Sequence, residues 1–76
     1  MKLLTIGDCV RVKATGEVMV VEGKWGIPND NALILSKWGH MSGGQNIPAS
    51  SGPRLEVNRA DVVKVVARTE WVDDED

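Results

Sequence analysis

Apolar residues in this chain come in short runs on a two-residue period, and no twelve-residue window holds a good 3.6-residue apolar period uninterrupted by Gly or Pro. Helix is therefore nearly absent from the expected fold. Residues 8–14 set the pattern: Val10, Val12 and Ala14 alternate with Cys9, Arg11 and Lys13, the period of a half-buried strand. Thr15-Gly16 then predicts a tight turn. In the second strand, residues 17–24, Val18 and Val20 occupy one face and Met19 and Val21 the other. Both faces are apolar, so this strand is either central or covered by a partner. Gly23 marks a bulge or bend. A third strand is expected over 32–38, a short one over 55–57 and a last one over 62–67, with a single helical turn at 58–61 before it. Val-rich runs suit strands because branching at Cβ fits a pleated surface.

Two stretches read as loops: 25–31 and, longer, 39–54, where Gly, Ser, Pro and Asn dominate. The expected architecture is all-β, a small five-stranded SH3-like barrel, since closure hides the edges of so short a sheet. One domain over 1–69 and an acidic C-terminal tail over 70–76 complete the organisation.

At 76 residues the chain supports one domain at most, with 42% apolar residues and neither Phe nor Tyr in its core. Cys9 is the one cysteine, which excludes an internal disulfide and favours a reducing cytoplasm. The N-terminal apolar stretch breaks too early for a signal peptide, and no run approaches the ~18–20 apolar residues of a membrane helix, so no membrane partner is expected. Charge is uneven. Residues 70–76 carry −5 and residues 1–69 carry nine bases against six acids, a net of +3.

The segment from Gly7 to Val21 resembles the opening of the YodC-like small bacterial proteins, with Gly7, Asp8, Val10, Lys13, Gly16, Met19 and Val21 in register. Trp38 and the Val62–Val66 stretch could take the places of that family's later Trp and its last strand. The sequence departs from the pattern at Gly39 and Ser36, where the family usually has an aromatic residue and a Cys. The Gly-Asp-x-Val opening is also similar to the first strand of KOW-type ribosome and transcription modules. Both resemblances imply an SH3-like barrel, and the YodC-like one implies no settled biochemical role.

Trp25 and Trp38, each followed by Gly and each expected at a strand end, are candidate binding residues. Trp offers a large rigid face and one N–H. The competing use for each is to plug an end of the core. Trp71 is expected to pack back on the barrel. Arg11, Lys13, Lys64 and Arg68 would converge if the first and last strands are neighbours. A basic patch beside Trp suits single-stranded nucleic acid, and an ordinary solvated face is the competing reading. His40 and Cys9 lack metal-site spacing, Gly43-Gly44 alone is no phosphate cradle, and Asp8 and Asp61 flank turns as caps. No catalytic residue, metal or cofactor is implied. The expected function is therefore a non-catalytic module that binds a protein or peptide through Trp-bearing loops. Nucleic-acid binding of KOW type is the alternative, and homo-oligomerisation through strand two is a variant of the first.

Overall fold

The computed structural model describes residues 4–25, 32–66 and 70–74, with the side chain of Trp25 left out. Among the described residues the fold is all-β. Strands β1 (Cys9–Val12), β2 (Val18–Trp25), β3 (Ala32–Ser42), β4 (Gln45–Pro48), β5 (Leu55–Asn58), β6 (Val62–Val66) and β7 (Val72–Asp73) are joined by one 3-10 turn at Arg59–Asp61. All pairings are antiparallel, in the order β4-β3-β2-β1-β6-β7, with β5 also paired to β3. Among the described residues the sheet is not closed into a barrel, because no ladder there joins the β7 end to the β4 or β5 end. The expectation of a closed five-stranded barrel is corrected on this point.

The side-chain alternation of β2 places it in the centre. Its edges are taken by β1 and β3. Met19 and Val21 enter one buried cluster with Leu4, Val10, Val12, Leu33, Leu35 and Val62. Val20 enters a second with Cys9 and Val65, against which Val18, Trp38 and Trp71 pack. Over Val18–Val20 strand two is thus central, paired on both edges and packed on both faces. The bulge that Gly23 suggested falls between Val21 and Gly23.

Two turn-flanking aspartates behave as caps. Asp8 Oδ2 accepts the Thr5 N–H at 2.9 Å, and Asp61 Oδ2 accepts the Asn58 N–H at 3.4 Å. Strand β1 is shorter than expected. Lys13 and Ala14 belong to the turn that follows it, where Lys13 N donates to the Asp61 carbonyl at 3.0 Å. Lys13 therefore does not share a strand face with Arg11.

The long loop expected over 39–54 is largely a β-arm. Strand β3 runs on to Ser42, turns through Gly43-Gly44 and returns as β4. Both glycines have positive φ, 57° and 79°, as a two-residue turn of type I′ needs. Only 49–54 remains irregular. It is tied back by Arg54 Nε, which donates to Glu22 Oε2 at 2.6 Å and, with help from the Ser36 hydroxyl, holds the Glu22 carboxyl below its ordinary range.

Where β3 bends toward β4 the register shifts between Trp38 and His40. Gly39 fills the bend. A Cβ there would stand 2.9 Å from Ala49 N and 2.9 Å from the Ile47 carbonyl oxygen, both rigid backbone atoms. Gly39→Ala is expected to cost about 1–3 kcal/mol through this clash. Chemical denaturation measures the loss, and amide NMR shifts concentrated in 38–49 would locate it. An unchanged midpoint would show that the arm yields freely.

Among the described residues no helix is long and apolar enough to cross a membrane.

Candidate functional site

The second buried cluster ends at an aromatic pair. Trp38, in the middle of β3 rather than at a strand end, meets Trp71 edge to face, with ring centroids 5.3 Å apart and planes at 82°. Both indoles are half-buried against Cys9, Val20 and Val65. The Trp38 indole N–H donates to Asn46 Oδ1 at 3.1 Å, and Asn46 Nδ2 donates to the Gly7 carbonyl at 2.9 Å. Asn46 thereby locks the β3–β4 arm to the segment entering β1.

Beyond this bridge lies a cleft of about 400 Å³, lined by Ile6, Gly7, Asp8, Gly44, Gln45 and Asn46. Ile6 on its rim is 66% exposed. Met41, 45% exposed, lies directly opposite Asn46 in the ladder and on the same face. Two large apolar side chains are thus left in solvent beside a half-buried aromatic pair.

The basic residues are distributed differently from the expectation. Strands β1 and β6 are indeed neighbours. Residues directly opposite in an antiparallel ladder share a face, so Arg11 lies with Cys9, Val63 and Val65, and Lys64 lies with Val10 and Val12 on the other. Arg11 and Lys64 therefore emerge on opposite faces and do not join in one patch. Each also meets a carboxylate. Arg11 Nε donates to Asp73 Oδ1 at 2.8 Å, and Lys64 Nζ lies 3.8 Å from Asp8 Oδ2. Arg68 lies outside the described residues. Trp25 ends β2 opposite Ala32, and its side chain lies outside them too.

No protein-family model, curated protein or solved structure matches this chain.

Cys9 is 2% exposed, and burial, aided by the charge of Asp8, pushes its thiol up to about 11. A thiol held protonated at neutral pH is a poor nucleophile. The native protein is expected to resist a thiol-specific reagent at pH 8 and to react promptly in denaturant. The raised pKa also works against folding in alkali. Its contribution is intact below pH 9 and is lost as pH rises toward 11, about 2–3 kcal/mol in all. Comparison with Cys9→Ala over that range isolates this loss from lysine titration, and parallel curves for the two proteins would contradict it.

The docking of Trp71 was legible in the sequence, and Trp38, singled out there as a binding residue or a plug of the core, packs against the second cluster; Ile6, Met41, Asn46 and Asp73 were not legible. Asn46 sits in a polar Gly-rich stretch with nothing local to mark it as a bridge. Asp73 sits in an acidic run whose pairing with Arg11 spans 62 positions.

Proposed function

We propose that the chain is a non-catalytic binding module that engages a protein or peptide through the face bearing Trp38. The observation that carries this reading is exposed Ile6 on the cleft and exposed Met41 opposite Asn46, at either side of the Trp38–Asn46–Gly7 bridge. Solvent-exposed apolar side chains around a rigid, half-buried indole are the ingredients of an interaction hot spot. Trp25 remains part of the proposal as a residue at the end of β2.

The fold reading that goes with it is an open SH3-like sheet. It is supported by the meander β1-β2-β3-β5 and by the 3-10 turn that returns β6 to pair with β1. The resemblance to YodC-like proteins over Gly7–Val21 supports the same fold and adds no function. A cytoplasmic setting suits the buried free thiol of Cys9.

The separation of Arg11 from Lys64, each beside an acid, favours a protein ligand over nucleic acid. Selection from a displayed library of random peptides tests this. The wild-type chain is expected to enrich peptides whose binding is lost in Ile6→Asp and Met41→Asp, two exposed positions where folding is retained. Failure to enrich any, together with salt-sensitive binding of single-stranded RNA, would replace this reading with the KOW-type one.

A further inference from the structure

We infer that the edge of β6 is a strand-addition site for an extended acidic peptide carrying an aromatic residue two positions before a carboxylate, and that residues 70–74 occupy this site as a displaceable strap. The inference goes beyond the cleft at Ile6 to a second surface that shares Trp38 with it, and it rests on the binding-module reading only for the peptide nature of the ligand.

The strap shows the chemistry the site accepts. Strand β7 is two residues long and pairs with β6 through Val65–Asp73 and Val66–Val72, with Asp74 N donating to the Lys64 carbonyl at 2.6 Å. Two positions apart in an extended chain, Trp71 and Asp73 point to the same face. Trp71 lands on Trp38, and Asp73 lands on Arg11 at 2.8 Å. Backbone pairing supplies affinity, and the indole and the guanidinium read alternate side chains, which is the logic of recognition by strand addition. Charge complementarity names the ligand. Arg11 on this face selects a carboxylate, and the rest of the acidic run, Asp74 to Asp76, continues the same sign.

The hold of the strap is weak. Val72 and Asp73 are both exposed, the Arg11–Asp73 pair is itself partly in solvent, and exposed ion pairs contribute little. So short an edge strand opens far more readily than the ladder around β2. A partner peptide of the same pattern would compete with it, and its apparent affinity would be reduced by the closed fraction.

Two measurements on the full chain test this. In native-state hydrogen exchange the Asp74 amide is expected to exchange at least about 100-fold faster than the Val21 amide, which donates to the Asp8 carbonyl at 2.9 Å inside the sheet. Equal protection of the two would show a fixed strand and overturn the inference. The second measurement uses a labelled synthetic peptide, Glu-Trp-Val-Asp-Asp-Glu-Asp, copied from residues 70–76. It is expected to bind Asp73→Lys, in which Arg11 repels the strap, about 10-fold more tightly than wild type. A peptide with Lys in place of the first Asp is expected to lose this binding. Addition of Arg11→Gln to the variant is expected to remove the difference between the two peptides. No binding of the acidic peptide to a folded Asp73→Lys chain would overturn the inference. It would leave the module reading standing wherever library peptides still bind through Ile6 and Met41.

Discussion

Leu35→Ala is expected to bring the domain close to its unfolding threshold at 37 °C. Leu35 is fully buried in β3, opposite Val21 of β2 and Leu55 of β5. It belongs to a cluster built wholly from aliphatic side chains and one Met, so no aromatic ring stands ready to lean into the space it leaves. Truncation of a buried Leu costs about 2–5 kcal/mol, and a sheet held by neighbours on both edges of β3 collapses little around the gap. Domains of this size have total stabilities of roughly 4–11 kcal/mol. The melting temperature should fall by more than about 10 °C. Leu35→Met keeps the volume and should cost less than about 1.5 kcal/mol. Differential scanning calorimetry of the pair separates lost packing from any general intolerance at the position.

Trp38→Ala is the second large effect, expected at about 3 kcal/mol. The indole is half-buried, which places it toward the low end for a Trp truncation, but it makes three kinds of contact at once. It covers Cys9, Val20 and Val65, it meets Trp71 edge to face, and it donates to Asn46. Loss of the first contact weakens the core. Loss of the second frees the strap, and loss of the third unlocks the β3–β4 arm from Gly7. A double-mutant cycle with Trp71→Ala should return a coupling of about 0.5–1.5 kcal/mol, because the two rings act on each other beyond the area they bury. Additive losses would show that the rings pack independently. Cys9 supplies a further readout. In Trp38→Ala its thiol should become accessible to a reagent that the wild-type protein excludes.

The parts of the fold legible in the sequence are those where burial dictates the residue. Strand β1 announces itself through Val on a two-residue period, β6 through a short Val-rich run, and the doubly apolar β2 through its place between two clusters. The bulge at Gly23 and the caps at Asp8 and Asp61 follow from local backbone chemistry. The β3–β4 arm was illegible because its residues are mostly exposed, so nothing forces Ser42, Gln45 or Asn46 to be apolar. Its one local signal was Gly43-Gly44 between two four-residue runs, which suits a two-residue hairpin turn as well as a flexible linker. Strand β7 was illegible for another reason. Its pairing depends on Trp71 and Asp73 meeting Trp38 and Arg11 across the fold, and an acidic run carries the same composition whether solvated or docked. The candidate site mixes both cases. Trp38 stands out by type, whereas the separation of Arg11 from Lys64 emerges only once β1 and β6 are paired in register.

The most direct test of the binding-module reading is an amide NMR titration of the full chain, first with a library-selected peptide and then with single-stranded RNA at low salt. Peptide is expected to shift Ile6, Gly7, Met41, Asn46 and the Trp38 indole N–H together, and RNA to leave them in place. Shifts produced by RNA at Arg11, Lys13 and Lys64, abolished by added salt, with a silent response to peptide, would contradict it.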